Sequence, residues 1–362
     1  MARIGLISIW FNRGQSFVTR TLRQALIDNG HECFVLARMG AVYGQNMQEK
    51  SGEWNYSGIT YFPKYEIPPN ALKIWAKSNR LDIVILNEEY QWDLPVAMHE
   101  IGVKTIQYLD FLGQSWSESL RHNYDQLWSA THRTTALLSD MGLSDMTTNI
   151  GWGIPDNMPY LGNYWSKYDF FSNQGWLGIN LRKGVDLLIK AMWLMVACGL
   201  KNSLLIHAQA PMEILPKEIL DMASDLEHSG LLTWRTETVP PPGLYHLGKV
   251  VVQPSRLEGL GLTIPEAMWQ GRPVVTTDAP PMNEFIWYPS ARVPVESVSY
   301  RSDGLSFPEC TADVDALAQA MQDVLTGNKN AGEVNRLRAI QLFSWSAFCS
   351  RIAKSLEVLG AH

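Results

Sequence analysis

The sequence has few cysteines and no surplus of basic residues, and each shortage excludes a class of protein. The four cysteines, at positions 33, 198, 310 and 349, are far apart and form no CxxC pair, so neither a zinc site nor a disulfide framework is expected. Lysine and arginine total 30 against 36 aspartate and glutamate, a formal net charge of −6. General nucleic-acid binders normally carry a basic surplus, so no stable nucleic-acid complex is expected.

Long apolar stretches are also missing. No run approaches the roughly 20 apolar residues that a membrane-spanning helix needs. The apolar stretch that follows Met1 is too short for a signal peptide and predicts a first strand. We therefore expect a cytoplasmic protein, with the inner membrane surface as a second option. A transient membrane contact through aromatic residues such as Trp116 or Trp128 stays open.

Metal-binding patterns are absent as well. The eight histidines form no HxH or HxxxH pair, so the sequence predicts no metal site and no cofactor. Asp313 and Asp315 resemble a metal-binding Asp-x-Asp pair. They follow no predicted strand and open a late helix, so we interpret them as acidic charge at a helix N-terminus.

What the sequence does contain is an alternation of strands and helices, in a chain long enough for two domains. Residues 3–9, a helix and residues 31–36 predict a βαβ unit that opens a parallel sheet. A stretch rich in Pro, Gly and Tyr at residues 151–164 interrupts the pattern, which then restarts. Residues 331–359 predict a single closing helix. The predicted parts are a Rossmann-like domain at 1–155, a second at 165–340, and a C-terminal helix at 341–362 with the option of packing back on the first domain.

The segment from Glu258 to Glu266 joins a predicted strand to a predicted helix. Gly259 and Gly261 allow the backbone to approach a ligand closely, and the amides of residues 260–263 precede the helix. This arrangement suits phosphate or sugar oxygens. The segment therefore predicts a ligand-binding loop.

Helix capping offers an alternative for half of this motif. Thr263 and Glu266 match a capping box, with Thr as the cap and Glu three residues later. Glu266 is thus explained equally well by capping or by ligand contact. Glu258 lies before the helix, where capping does not explain it, and carries more of the functional argument.

This segment, with Pro-Ser-Arg before it and Gly-Arg-Pro-Val-Val after it, resembles the retaining GT-B glycosyltransferases of family 4. The resemblance is strong over residues 250–284 and weaker before them. It implies an α/β GT-B fold, in which two Rossmann-like domains face each other across a cleft. It also implies a nucleoside-diphosphate sugar as donor and no metal requirement.

The resemblance also implies roles for particular residues. Glu258 would contact the donor sugar hydroxyls near the reacting carbon, and Glu266 would bind the ribose. Asp278 and Glu284 match the family's pattern with less defined roles. The residues expected to bind the donor are Gly14, Arg235, Thr236, Gly259, Leu260, Gly261, Leu262, Thr263 and Glu266.

A basic pair, Arg182 and Lys183, opens another predicted helix, where cations oppose the helix dipole and so hint at a nearby anion. The alternative is a solvated surface pair offset by Asp186. The resemblance implies that an Arg and a Lys hold the leaving diphosphate, and Lys183 matches that motif. The arginine expected earlier in the chain falls at Leu177, so either Arg182 replaces it or the clamp is weaker.

Acceptor-side candidates follow strands of the first half. The loop after the first strand has Arg13, Gly14 and Gln15 where the family has a glycine pair. Tyr108 and Asp110 lie at the end of a later strand. The polar group formed by Glu88, Glu89 and Tyr90 follows a further strand, and we interpret it as solvated.

The expected activity is transfer of a sugar from a nucleotide sugar to a glycan, lipid-linked or other acceptor by a front-face, retaining mechanism. Two alternatives stay open. One is a sugar-nucleotide epimerase of the same fold, and the other is a GT-B protein that binds a sugar or nucleotide without turnover. The sequence specifies neither the donor nor the oligomeric state.

Overall fold

The computed structural model describes residues 1–42, 44–162, 166–178, 181–302, 304–327 and 330–360. The chain divides into two compact units: Met1–Gly153 with Trp345–His362, and Ile154–Ser344. The end of the predicted linker at Tyr164, the start of the predicted second domain at residue 165 and the end of the predicted C-terminal helix at residues 361–362 lie outside the described residues. Within the described ranges, every helix is too short or too polar to cross a bilayer.

The first unit is built on a seven-stranded parallel sheet with the order β5-β2-β1-β6-β7-β8-β9. Its strands are β1 Arg3–Ile9, β2 Glu32–Arg38, β5 Ile59–Phe62, β6 Ile83–Asn87, β7 Lys104–Leu109, β8 Gln126–Ser129 and β9 Thr147–Asn149, and a small hairpin adds β3 Gly40–Val42 and β4 Gln45–Met47. The helices are α1 Gly14–Asp28, α2 Pro69–Ser78, α3 Asp93–His99, α4 Ser117–Asn123 and α5 His132–Asp140.

The second unit is built on a six-stranded parallel sheet with the order β12-β11-β10-β13-β14-β15. Its strands are β10 Tyr168–Gly175, β11 Leu204–Ala208, β12 Leu232–Thr236, β13 Gly248–Gln253, β14 Val274–Thr277 and β15 Arg292–Val293, and an antiparallel pair adds β16 Val295–Ser299 and β17 Glu309–Ala312. The helices are α6 Val185–Ala197, α7 Lys217–His228, α8 Thr263–Trp269, α9 Val314–Thr326 and α10 Ala331–Leu342. The chain then re-enters the first unit as α11, Trp345–Val358.

The central strands of both sheets are buried along almost their whole length. β6 reads Ile-Val-Ile-Leu-Asn and every residue is buried, as is each residue of the Val-Val-Val-Gln end of β13. Continuous apolar strands are typical of parallel sheets covered by helices on both faces. Both units therefore have the predicted Rossmann-like α/β architecture.

The single closing helix predicted over residues 331–359 is wrong. The helix ends at Leu342, and Phe343 leaves helical geometry with φ −112° and ψ 24°. The Phe343 side chain is buried and its ring contacts Phe285 edge-on, while its carbonyl accepts the Ile154 amide at 2.9 Å. Burial of this aromatic residue in the second unit accounts for the end of the helix at Leu342, and a new helix starts at Trp345.

Trp128 is not available for the membrane contact that the sequence left open. Its ring is 0% exposed, and its indole Nε1 donates to the Ser355 hydroxyl of α11 at 2.7 Å. The tryptophan lies in β8, in the middle of the first unit's core, and the sequence pattern did not distinguish it from an exposed aromatic residue.

Candidate functional site

The predicted catalytic residues come together at the carboxyl edge of the second sheet. Arg182 and Lys183 follow β10, and Glu258 follows β13, which is the neighbouring parallel strand. The order of strands reverses at this point, and such a reversal is where open α/β sheets bind ligands. Lys183 Nζ lies 2.7 Å from Glu258 Oε1, and Arg182 Nη1 lies 3.0 Å from Oε2.

Backbone and side-chain contacts hold these two loops together. Arg256 makes a bidentate ion pair with Asp186, at 2.8 and 2.7 Å, and its amide donates to the Arg182 carbonyl at 2.8 Å. Gly184 has φ +72°, and a Cβ there would lie 2.0 Å from the Pro254 carbonyl oxygen. Asp186 thus pairs with Arg256, so the alternative of a solvated surface pair offset by Asp186 is wrong.

The charge of Glu258 is stabilised by its neighbours. The side chain is 6% exposed, and the Ser255 hydroxyl also donates to Oε1 at 2.8 Å. Burial by itself would raise the pKa of the carboxyl, but the Lys183 ammonium and then the Arg182 guanidinium outweigh burial and lower it to about 2. Glu258 is therefore a fixed negative charge at neutral pH and cannot act there as a proton donor.

Glu266 has the opposite electrostatic behaviour. Burial raises the pKa of its carboxyl to about 7, against the opposing effects of a hydrogen bond from Tyr245 and the charge of Lys183. The Tyr245 hydroxyl donates to Oε2 at 2.5 Å. Glu266 therefore titrates near neutrality, whereas Glu258 does not.

The predicted capping box is wrong. Thr263 is the first residue of α8, the cap position is occupied by Leu262, and no side chain makes a capping hydrogen bond. The helix starts one residue earlier than the pattern requires because residue 262 already has helical backbone angles. Capping therefore no longer explains Glu266.

The rest of the predicted donor loop precedes α8. Gly261 has φ +75°, a conformation that favours glycine, and its carbonyl accepts the Ile264 amide at 2.9 Å. Gly259 and Leu260 are buried beside it. The loop is thus a tight turn whose backbone lies at the same edge of the sheet as Glu258.

Two other predicted donor residues lie farther along this edge, as does Asp278, which matches the family's pattern with a less defined role. Arg235 and Thr236 end β12, which is separated from β10 by one strand, and Arg235 forms an ion pair with Glu237. Asp278 follows β14 and accepts from Asn283 at 2.8 Å. All lie at carboxyl ends of parallel strands, as expected from their positions in the sequence.

The position at which the family resemblance expects an arginine is occupied by a core residue. Leu177 is 1% exposed and has φ +59°, a left-handed conformation that is uncommon outside glycine. Its carbonyl accepts the Lys183 amide at 3.2 Å. Leu177 therefore shapes the loop, and Arg182 is the arginine that reaches Glu258.

The first unit presents its own carboxyl edge, where the acceptor-side candidates lie. Gly14 is exposed at the start of α1, and Arg13 donates to the Ala41 carbonyl at 3.3 Å. Gln15 donates to the Asn87 carbonyl at 2.7 Å, and Asn87 donates back to the Gln15 carbonyl at 2.9 Å. Gln15 thus joins the start of α1 to the end of β6.

Tyr108 and Asp110 form a buried pair at the end of β7. The Tyr108 ring is fully buried, and its hydroxyl donates to Asp110 Oδ1 at 2.9 Å. Burial, together with the Asp110 charge, raises the pKa of Tyr108 far above its usual range. Tyr108 would therefore influence a ligand indirectly, by holding Asp110.

The interpretation of Glu89 as solvated is wrong. Glu89 is 1% exposed and pairs with the fully buried Arg38 at 2.6 Å, and its other oxygen accepts the amides of Tyr90 and Gln91. The partner arginine ends β2, which is 51 residues earlier in the chain, so the local pattern carried no sign of it. Tyr90, in contrast, is exposed as expected.

In the described part of the chain, no group of three or more His, Cys, Asp or Glu side chains is arranged to hold a metal ion. Asp313 is the N-cap of α9, and its carboxylate accepts the Ala316 amide at 2.7 Å. The interpretation of this acidic pair as helix N-terminal charge is confirmed.

Sequence reasoning missed three residues that build this edge: Ser255 and Arg256 beside Glu258, and Tyr245 beside Glu266. Ser255 and Arg256 stand in the Pro-Ser-Arg triplet, so their position next to the motif was a usable signal. Tyr245 is 21 residues from Glu266 and carried no local signal.

Comparison with known proteins assigns a class to this fold and site. Residues 175–327 match the family described as Glycosyl transferases group 1, a segment that includes Lys183, Glu258 and Glu266. With two Rossmann-like units, the chain has the GT-B fold, and its segment 175–327 resembles a group 1 glycosyltransferase domain. A search of curated sequences finds no match.

Solved structures share the fold over the whole chain. Sucrose-phosphate synthase from Thermosynechococcus elongatus is 18% identical, with a TM-score of 0.70 and 100% of both chains covered. A glycosyltransferase from Rickettsia africae is 14% identical, with a TM-score of 0.71, 99% of this chain and 98% of that one. Anabaena HepE in complex with UDP and glucose is 13% identical, with a TM-score of 0.71, 99% of this chain and 100% of that one.

Proposed function

We propose that the protein is a retaining glycosyltransferase, similar to family 4, that transfers a sugar from a nucleoside-diphosphate sugar to a glycan or lipid-linked acceptor. The observation that carries this proposal is the buried Glu258 held between Arg182 and Lys183 at the carboxyl edge of β10 and β13. UDP sugars are the first donors to test, since the structurally similar HepE was solved with UDP and glucose.

The basic and the acidic side chains of the site have different roles in the proposed reaction. Breaking the bond between the anomeric carbon and the phosphate oxygen builds negative charge on the diphosphate and positive charge on the sugar. Arg182 and Lys183 would stabilise the diphosphate, so that the reaction needs no metal cofactor. Glu258, which stays ionised, would bind the sugar hydroxyls near the reacting carbon, and Glu266 would bind the ribose.

The proposed transfer proceeds on one face of the sugar. The acceptor oxygen bonds to the anomeric carbon as the bond to the phosphate oxygen breaks, and the acceptor proton passes to that phosphate oxygen. This route retains the anomeric configuration and assigns no carboxylate as nucleophile. The ionised state of Glu258 is consistent with a binding role.

Thermal shift with UDP-, GDP- and ADP-sugars, followed by release of the nucleoside diphosphate, tests the proposal. One donor should stabilise the protein, because a ligand that binds the folded state raises the transition temperature. Turnover should fall by about 10²–10³-fold in Lys183→Ala and in Glu258→Ala, as expected for loss of a charge that acts in the transition state.

Lys249→Ala is the matched control. Lys249 is also paired with a carboxylate, Asp169, but it lies near the start of β13, and its side chain is 55% exposed. Its replacement should leave turnover near the wild-type value. Full turnover in both site variants would contradict the mechanism, and absence of any stabilising nucleotide sugar would favour a GT-B protein without this activity.

A further inference from the structure

Tyr245 lies in the segment between β12 and β13 and is held rigidly in the second unit. Its side chain is 1% exposed. The ring contacts Phe171 of β10 edge-on, with centroids 5.3 Å apart and planes at 82°. Phe171 is itself fully buried. The position of the Tyr245 hydroxyl is therefore fixed by packing in the core.

The Tyr245 hydroxyl has hydrogen-bond partners in Asn173, Glu266 and Thr263, and the first two bonds have a defined direction. The Asn173 amide group donates to it at 3.1 Å, and the hydroxyl donates to Glu266 Oε2 at 2.5 Å. An amide NH₂ can only donate, so the tyrosine proton is directed at the carboxyl group. Asn173 and Tyr245 together fix one of the two oxygens of Glu266.

Two side chains in the described part of the chain act on the charge of Glu266. Lys183, at the start of α6, is the charged group that acts on it, and Tyr245 is its hydrogen-bond donor. Both favour the ionised carboxylate, while burial opposes it. Loss of the tyrosine hydroxyl would remove one of the two effects that oppose burial, so the carboxyl would hold its proton to a still higher pH.

We propose that Tyr245 is a positioning residue for nucleotide binding: by holding Oε2 of Glu266, it leaves Oε1 to accept the hydroxyl groups of the bound ribose. This inference rests on the proposed function, in which Glu266 binds the ribose. It adds that binding of the nucleotide is pH-dependent and that Tyr245 sets the pH range.

The test compares Tyr245→Phe with the wild type by calorimetric titration of UDP between pH 5.5 and 9, or of GDP or ADP if one of these binds the wild type more tightly. Phenylalanine keeps the ring contact and removes the hydroxyl. At pH 7.5 the variant should bind about tenfold more weakly, since one charge-assisted hydrogen bond is worth roughly that factor. Its loss of affinity on acidification should begin at a higher pH.

Controls separate this inference from the proposed function. Tyr288→Phe removes another hydroxyl bond in the same unit, the one to the Val274 amide, and should change neither Kd nor pH profile. Glu266→Gln should weaken nucleotide binding and remove the part of its pH dependence that this carboxyl contributes beyond titration of the nucleotide phosphate. Asn173→Ala should shift the profile in the same direction as Tyr245→Phe, and it serves if that variant does not fold.

The outcomes are distinct. Unchanged binding in Glu266→Gln would overturn the role that the proposed function gives to Glu266. Weakened binding in Glu266→Gln together with a wild-type Kd and pH profile in Tyr245→Phe would overturn the positioning role alone. A uniform loss of affinity at every pH in Tyr245→Phe would indicate a purely structural effect and would also overturn it.

Discussion

Two carboxyl groups of one short segment have opposite titration behaviour. The pKa of Glu258 is lowered to about 2 and that of Glu266 is raised to about 7, although burial opposes ionisation of both. The difference comes from their neighbours. Two cations lie within 3.0 Å of Glu258, whereas Glu266 has a tyrosine hydroxyl as its direct partner. One residue is a permanent charge and the other is a titrating group.

This difference predicts how stability depends on pH. Between about 4.5 and 7 the folded protein binds a proton at Glu266 that the unfolded chain releases, so stability falls as pH rises through that window. The Glu266→Gln variant has no titrating carboxyl at this position, so this fall in stability should be absent from it. The free energy of unfolding of the variant, relative to the wild type, should increase by at most ~3 kcal/mol from pH 4.5 to pH 8.

Chemical denaturation at several pH values measures this difference. Parallel curves for the wild type and Glu266→Gln would show that Glu266 titrates at an ordinary carboxyl pKa. Glu309→Gln is a suitable comparison, because Glu309 is a partly buried carboxylate that is paired with Arg301.

At the scale of elements, the site depends on how closely the start of α6 approaches the loop after β13. Gly184 makes this approach possible, since its α-carbon lies against the Pro254 carbonyl. Gly199, at the other end of the same helix, also has a left-handed backbone, with φ +82°, but it faces open space. The two glycines share a backbone conformation and differ in their surroundings.

Replacing each glycine by alanine should separate the two effects. Gly199→Ala should lose about 1–2 kcal/mol of stability from the left-handed backbone alone. Gly184→Ala should lose more, because the added methyl group meets backbone that cannot move aside, and turnover should fall as Arg182 and Lys183 shift from Glu258. Thermal unfolding and a donor turnover assay measure both. Equal losses of stability in the two variants would contradict the role of close approach.

The sequence predicted those helices and strands that the local apolar periodicity defines. It placed Lys183 and Glu258 after separate strands, and parallel strands bring their carboxyl ends to one edge, so their meeting could be inferred. It did not predict the pairing of Arg38 with Glu89 or of Tyr245 with Glu266, because these partners are distant in the chain. The predicted capping box was also wrong, because Leu262 has helical backbone angles and takes the cap position that the pattern gave to Thr263.

At the scale of the whole molecule, the first unit is completed by the last helix of the chain. Phe348, Ile352 and Leu356 of α11 are buried, and Trp345 donates to the Asp28 carboxylate at 2.8 Å. Arg351 donates to the Ile150 carbonyl at 2.6 Å. The helix α11 is therefore part of the first compact unit of the chain.

A substitution in this helix should act on the first unit alone. Phe348→Ala removes a ring that is 0% exposed and should destabilise that unit by about 3–5 kcal/mol. Val358→Ala, at an 80% exposed position of the same helix, should have almost no effect. Differential scanning calorimetry, with and without a nucleotide that binds the second unit, assigns the transition. If the transition that Phe348→Ala lowers is the one that the nucleotide raises, the substitution acts on the second unit and the prediction is wrong.

The return of the chain to its first unit has a consequence for biosynthesis. The ribosome releases Met1–Gly153 first, but this unit lacks α11 until Trp345 and the residues after it have emerged. Ile154–Ser344 is contiguous, so it can fold during translation while the earlier segment waits with part of its apolar surface uncovered. We therefore expect the second unit to complete its fold before the first, in contrast to the usual N-terminal-first order.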